Sequence, residues 1–241
     1  MNKIALVTGA RKGLGLAWVK ELTTKGYTVY LSARRLEQAE EAAISIEGTV
    51  FPIALDITKE ESIAKAAERV EADYGKIDLL VNNAGTNPKD NPNKELMESA
   101  FYLDKLTAEA MIPTLSANSI SPLLMMKHFR ALLKKSDSPK VINISSWLGS
   151  VSNIKWGYHF AYCGSKNLLN MFNKIAATEL REDGIITVAV NPGWVKTDMG
   201  GSKAEFTPQE SVQNIIKNIL DKLSMEDSGK FLNHSGEEHP W

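Results

Sequence analysis

Six short runs set the terms for any fold this chain can adopt: "KIALVTGA" at 3–10, "TVYLSAR" at 28–34, "TVFPIALD" at 49–56, "KIDLLVNNAG" at 76–85, "KVINISS" at 140–146 and "IITVAVNPG" at 185–193. Each is near-continuously apolar and rich in β-branched residues, with no alternation that would leave one face for water. Strands of that kind must be covered on both faces, which is the condition of a parallel sheet between two layers of helices. Amphipathic stretches separate them. "LGLAWVKELTTKG" stops at Gly26, a C′ glycine; "TKEESIAKAAERVEADYG" opens with Thr58 and Glu61 at capping-box spacing and stops at Gly75. "TPQESVQNIIKNIL" offers Thr207 as N-cap, Pro208 at the first helical position and Glu210 at the third. "KFLNHSG" reads as a last strand, for about seven in all. The expected fold class is α/β, a doubly wound parallel sheet in one domain over 1–241, with no linker or repeat.

One region breaks the rhythm. "TNPKDNPN", after Gly85, holds two Asn-Pro steps and reads as loop, and "KELMESAFYLDKLTAEAM" is helical in composition. It follows the C-terminal end of a strand, where ligands bind in such sheets, so it reads either as a surface excursion or as a substrate-side wall.

Bulk properties exclude several classes of function. A net charge of −1 supplies no field to recruit nucleic acid or an anionic membrane. The single cysteine, Cys163, rules out an intramolecular disulfide and fits a reducing compartment. Apolar runs too short for a leader or a membrane span complete the expectation of a cytoplasmic protein. No cluster of residues has metal-ligand spacing.

The first strand ends in Thr8-Gly9-Ala10-Arg11-Lys12-Gly13-Leu14-Gly15 and gives way to a helix. Glycines at Gly9, Gly13 and Gly15 permit a tight turn and close backbone approach to a pyrophosphate, which the helix N-terminus then holds. Glycines also serve plain turns; placement in the first strand–helix unit favours a dinucleotide. An acidic residue at the end of the second strand would favour NAD, by bonding the ribose 2′-OH. Here stand Ser32-Ala33-Arg34-Arg35, and Arg34 suits a 2′-phosphate; with Arg11 and Lys12 in the turn, NADP(H) is favoured over NAD(H).

A second motif carries chemistry. In "WGYHFAYCGSK", Tyr158, Tyr162 and Lys166 are each four apart, hence on one face of a helix. A Tyr–Lys pair seen alone is usually a surface contact, but only Tyr162 has a cation one turn on. A free phenol titrates near pH 10, and a neighbouring ammonium lowers it by stabilising the phenolate, about 1.4 kcal/mol per unit.

Taken in order, TGARKGLG, NNAG at 82–85, Asn118 in "SANSISP", "VINISS" at 141–146, YCGSK at 162–166 and "NPGWVKTDM" at 191–199 resemble the short-chain dehydrogenase/reductase family over nearly the whole chain. "NPGWVKTDMGGSKA" and "GKFLNHSGEEHPW" look more like its carbonyl-reductase and C-factor-like branch. The resemblance implies a Rossmann-like fold in which Tyr162 gives a proton to the substrate oxygen. Lys166 lowers that phenol's pKa and holds the nicotinamide ribose, Ser146 orients the carbonyl, and Asn118 supports a proton-relay water. It further implies Asp56 and Ile57 at the adenine, Asn82, Ala84 and Gly85 at the adenosine ribose, and Pro192, Gly193, Val195 and Thr197 at the carboxamide. Of the adjacent Ser145 and Ser146, the pattern "SWLG" selects Ser146; in a strand only one of the two faces the site. The stretch from Ser146 to Tyr162 is longer than the family's usual spacing. Tyr158 then reads as a pocket wall or a loop residue, Cys163 as a buried apolar group, and "GWVKTDMGGSKAEF" as a mobile lid.

The expectation is an NADP-dependent oxidoreductase interconverting a small carbonyl and its alcohol, more in the direction of reduction. The family usually assembles as homodimers or homotetramers. Rival readings are an NAD-dependent alcohol dehydrogenase of the same fold and a non-catalytic nucleotide sensor.

Overall fold

The computed structural model describes residues 3–241. Seven strands form one sheet: β1 (Lys3–Val7), β2 (Tyr27–Ala33), β3 (Val50–Ala54), β4 (Leu79–Asn82), β5 (Lys140–Ile144), β6 (Ile186–Asn191) and β7 (Phe231–Asn233). They run in the order β3-β2-β1-β4-β5-β6-β7, and every pairing is parallel. The order reverses between β1 and β4, whose registers pair Val7 with Val81. A crevice for a ligand opens at such a switch point, beyond the strands' C-terminal ends.

The helices are α1 (Gly13–Thr24), α2 (Leu36–Ala43), α3 (Glu60–Tyr74), α4 (Lys94–Glu98), α5 (Ala108–Leu115), α6 (Ser121–Leu133), α7 (Phe160–Leu180) and α8 (Pro208–Ile215). The apolar runs fill two cores. On one face Trp18 and Leu22 of α1 meet Val212 and Ile215 of α8 over Val7, Leu31 and Val190. On the other, Ile63 and Val70 of α3, Phe129 of α6 and Ala176 of α7 cover Leu6, Leu80 and Val141. Each such side chain taken fully from water contributes about 1.5–3 kcal/mol, which is why the sheet sits at the centre. No helix is long and apolar enough to cross a membrane among the described residues.

Several local expectations hold and two do not. Thr207 and Glu210 form a reciprocal capping box with Pro208 in the first turn. Gly75 ends α3 at φ 68, a conformation glycine takes without strain. Thr58, by contrast, caps nothing: α3 starts one residue late, and Thr58 is bonded instead to the Asp56 carboxylate, 2.7 Å from its hydroxyl and 3.1 Å from its amide. Side chains of this type compete with the helix for local partners, and here the Asp56 turn wins. The helical composition of "KELMESAFYLDKLTAEAM" is likewise split into α4, a 3₁₀ turn at Leu103–Lys105 and α5, where Thr107 caps a new start inside the stretch.

Candidate active site

Four elements bring the chemistry to the C-terminal edge of the sheet. The first is the turn from β1 to α1. Gly9 and Gly13 have φ of 63° and 58°, and a Cβ on Gly9 would lie 2.9 Å from the Ala84 Cβ. Thr8 fastens this turn to the loop after β4, its hydroxyl accepting from the Asn83 and Ala84 amides at 2.9 Å each. The Asn83 amide group donates back to the Thr8 and Gly9 carbonyls. Thr8 and Asn83 were missed by sequence reasoning, although both stand inside the quoted motifs. Asn82 is turned the other way: its side chain is buried in the sheet, donating to Asn143 Oδ1 at 2.8 Å and to the Pro122 carbonyl. Strand alternation sends neighbours to opposite faces, so the Asn82 side chain does not line a ribose site; Ala84 and Gly85 stand at the open edge.

The second element is the helix pair around Asn118. Between α5 and α6 the backbone widens into a π turn, Ser116–Ile120, with Asn118 at its centre and fully buried. Pro122, four residues on, has no N–H to return to the Asn118 carbonyl, so sequence opens the helix at this residue. The Asn118 side chain is clamped: Oδ1 accepts from the Thr86 amide at 2.8 Å, and Nδ2 donates to the Thr86 carbonyl and to Ser165 Oγ at 3.0 Å. Ser165, between Tyr162 and Lys166, donates to the Tyr162 carbonyl at 2.7 Å and so ties Asn118 to α7.

The third element, the turn after β5, separates the two serines. Ser145 faces inward, its hydroxyl 2.6 Å from Asn170 Oδ1. Ser146 caps the 3₁₀ turn Trp147–Gly149, its oxygen accepting from the Leu148 amide at 3.2 Å. That bond occupies a lone pair and leaves the hydroxyl proton free to donate. Gly149 ends the turn because a Cβ there would lie 2.8 Å from the Lys166 backbone.

The fourth is α7 itself. Tyr162 and Lys166 are both buried, and the ammonium lies 5.8 Å from the phenol ring centre. Lys166 Nζ donates to the Ile144 carbonyl at 2.8 Å, with two N–H groups to spare. A Cβ on Gly85 would stand 2.9 Å from Asn118 Oδ1 and 3.7 Å from Lys166 Nζ, so the loop after β4, the π turn and α7 meet at one point.

The protonation states differ from the sequence expectation. Burial pushes the Tyr162 phenol up to about 12; hydrogen bonding to Ser146 offsets this in part, and the Asp90 carboxylate adds to it. Burial also pushes the Lys166 ammonium down to about 8. Desolvation of both groups outweighs the lysine's pull on the phenol. The pair is thus set as a protonated phenol beside a lysine that is charged below about pH 8. Since the ammonium is present below that value and lost above it, any turnover that depends on it is expected to fall as pH rises through about 8. A pH–rate profile in wild type, flattened in Lys166→Met, checks this.

Around this centre the chain builds a wall and a strap. The 86–113 excursion docks on the start of α7: the His159 and Ala161 amides donate to the Phe101 and Ala100 carbonyls at 3.0 and 3.1 Å. Phe101 stacks with Tyr158, which is exposed, and Trp147 meets Trp156 edge-on at 5.3 Å. Cys163, half-buried and pushed up to about 11 by burial, is held as an inert thiol. The segment after β6, expected as a mobile lid, folds on itself as a strap: Trp194 Nε1 donates to the Gly200 carbonyl at 2.8 Å, and Val195 pairs with Phe206. Thr197 lies against the glycine turn, 3.3 Å from where a Gly13 Cβ would be, and Gly193 takes φ 79. Met199, which sequence reasoning passed over, puts its sulfur 3.8 Å from the Tyr162 hydroxyl.

The residues expected at the cofactor follow the C-terminal ends of β1, β2, β3, β4 and β6. Arg11 and Arg35, next to Arg34, line one open depression of about 320 Å³. The Asp56 pKa is lowered against its own burial by the Thr58 bonds and by the nearby Lys59 and Arg34 charges. Ile57 packs against the core beneath. The N-terminus of α1 has no side-chain cap and no acidic residue in its first turn, so its amides are free to hold an anion. These features fit a dinucleotide: a turn that tolerates no Cβ, an uncapped helix end and arginines beyond it. Among the described residues no group of three His, Cys, Asp or Glu is placed to hold a metal ion.

A doubly wound sheet with that turn, joined to a buried Tyr–Lys pair at the sheet's switch point, defines a nicotinamide-dependent oxidoreductase. A family model described as short chain dehydrogenase matches residues 3–208. The chain is 30% identical to the short-chain dehydrogenase anuI of Penicillium roqueforti, over 95% of this chain and 93% of that protein. It superposes on the NADPH-bound carbonyl reductase from chicken fatty liver with a TM-score of 0.87 at 33% identity, covering 100% and 99% of the two chains. For the carbonyl reductase Sniffer of D. melanogaster the TM-score is 0.88 at 29% identity, with both chains covered in full. The protein belongs to the short-chain dehydrogenase/reductase family, with likeness to its carbonyl reductases.

Proposed function

We propose that this protein is an NADPH-dependent carbonyl reductase in which Tyr162 is the general acid. The observation that carries the reading is the geometry of the centre: a buried phenol with the Lys166 ammonium 5.8 Å from its ring centre, Ser145 tied to Asn170, and Ser146 left with a hydroxyl proton to donate. When bound, the nicotinamide cofactor supplies a hydride to the carbonyl carbon. As negative charge gathers on the carbonyl oxygen, the Ser146 hydroxyl donates to it and the Tyr162 O–H transfers its proton. The developing phenolate is stabilised by the Lys166 ammonium, one turn along α7. The same ammonium has N–H groups left that would hold the nicotinamide ribose. The Asn118 carbonyl, freed by the π turn and Pro122, accepts from a water that returns a proton toward Lys166.

Preference for NADPH is supported by Arg11, Lys12, Arg34 and Arg35 and by the absence of a carboxylate at the end of β2; the similar chicken carbonyl reductase was solved with NADPH. Ala84, Gly85, Pro192, Gly193, Val195 and Thr197 complete the cofactor site, with Asp56 and Ile57 at its adenine end. The wall of Trp147, Trp156, Tyr158 and Phe101 contacts the substrate.

The test is a panel of ketones and aldehydes followed by NADPH absorbance. Oxidation of NADPH with at least one carbonyl, and much slower oxidation of NADH, is expected; tight NADPH binding with no turnover on the panel would point to a nucleotide sensor instead. Arg34→Ser is expected to lower the NADPH-over-NADH ratio of kcat/KM by about tenfold, the scale of one lost charge-assisted bond. Steady-state kinetics with both cofactors measure it.

A further inference from the structure

The strap that covers Tyr162 is fastened by charge. Lys12, the N-cap of α1, forms an ion pair with Asp198, although the two side chains are 54% and 78% exposed. The Lys89 ammonium donates to the carbonyl of Met199, the next residue. Asp90 sits in the same group: burial raises its pKa and the Asp198 charge raises it further, against the pull of Lys89 and Lys12. Arg11 is the remaining cation acting on Asp198. Asp198 is thus held by Lys12, and the adjoining Met199, whose sulfur lies 3.8 Å from the Tyr162 hydroxyl, is held by Lys89, with the Asp90 and Arg11 charges acting on Asp198's surroundings.

Lys12 has two claims on it. It stands in the glycine turn, at the uncapped end of α1, from which its side chain reaches any phosphate held there. One ammonium cannot serve a phosphate and Asp198 at full strength. We propose that Asp198 is a specificity-determining residue: it competes with the cofactor's phosphates for Lys12, and the exchange loosens the strap that lays Met199 on Tyr162. This rests on the cofactor reading given above. Once Lys12 turns to phosphate, Asp198 faces Asp90 with less cation between them, and like charges at short range favour separation. A 2′-phosphate carries about −1.5 to −2 charges at neutral pH, so NADPH displaces Asp198 more readily than NADH does. Asp198 thus holds the site covered until the more highly charged cofactor arrives.

The experiment compares wild type, Asp198→Asn, Lys12→Met and the double variant, with NADPH and NADH binding read from quenching of tryptophan fluorescence. Asp198→Asn is expected to tighten NADPH by up to about fivefold, the upper end of what an exposed ion pair supplies, and NADH by a smaller factor. In the Lys12→Met background it is expected to change neither. Ligand-free Asp198→Asn is also expected to be cut faster by trypsin at the exposed Lys196 and Lys203 of the strap. Equal effects on both cofactors, or an effect that survives Lys12→Met, would overturn the competition. Unchanged trypsin cutting would overturn the role in holding the strap. Wild type that prefers NADPH while Asp198→Asn leaves both affinities unaltered removes this inference alone; wild type that binds neither cofactor removes the proposed function and this inference with it.

Discussion

Tyr162→Phe is expected to cut carbonyl turnover by about 10²–10⁴-fold, the usual share of a general acid, while NADPH still binds. The substitution deletes one oxygen from a buried side chain whose ring contacts remain, so the fold is expected to persist. The lost oxygen is the one that Ser146 bonds and Met199 covers. Tyr158→Phe provides the contrast. Tyr158 is 47% exposed and stacks on Phe101 with its ring 6.3 Å away. Its hydroxyl has no part in the proton path, and the expected change is confined to substrate preference. Single-turnover kinetics and NADPH titration on both variants separate chemistry from binding. Loss of turnover in Tyr158→Phe with activity kept in Tyr162→Phe would reverse the assignment.

Gly15→Ala is expected to lower Tm by about 2–12 °C, from an overpacking cost of about 1–3 kcal/mol in a chain of this size, and to weaken cofactor binding. A Cβ at this position would lie 2.6 Å from the Gly9 carbonyl oxygen and from Asn83 Nδ2, and 2.8 Å from the Ala10 Cα. Two of those three atoms are backbone, which can yield only if α1 shifts off β1. The shift would move the free amides of the helix end away from where a pyrophosphate lies. Gly164→Ala is the matched control. It sits in the second turn of α7 with no atom within 4 Å of its would-be Cβ. The same added methyl should there stabilise by about 0.5–1 kcal/mol, through a less flexible unfolded chain and better helix propensity. Opposite signs in thermal melts would show that the requirement at Gly15 is steric.

Much of this was legible before any coordinates. The apolar runs gave the parallel sheet because burial on both faces leaves no polar alternation. Gly9, Gly13 and Gly15 gave the turn because few residues tolerate a positive φ or so close a backbone. The spacing of Tyr162 and Lys166 put the phenol and the ammonium on one helix face because helical phase is fixed at 3.6 residues per turn. These are local properties, and local sequence sets them.

Other features depend on residues far apart in the chain. The choice of Ser146 over Ser145 follows from Asn170 taking the Ser145 hydroxyl. The inward turn of Asn82 follows from Asn143 on the neighbouring strand. The fragmentation of 94–115 shows Thr107 starting a new helix inside a stretch of helical composition. The phenol's rise to about 12, against the fall expected from its lysine, is a matter of desolvation, which the whole surrounding protein sets. The strap is the sharpest case, since "KTDM" carries no signal that Asp198 meets Lys12 across 186 residues of chain or that Met199 meets Tyr162. Sequence determined which elements form and which residues are equipped for the chemistry. Tertiary structure decided which are buried, which neighbours they answer to and what charge they carry, because desolvation and hydrogen bonding act through space.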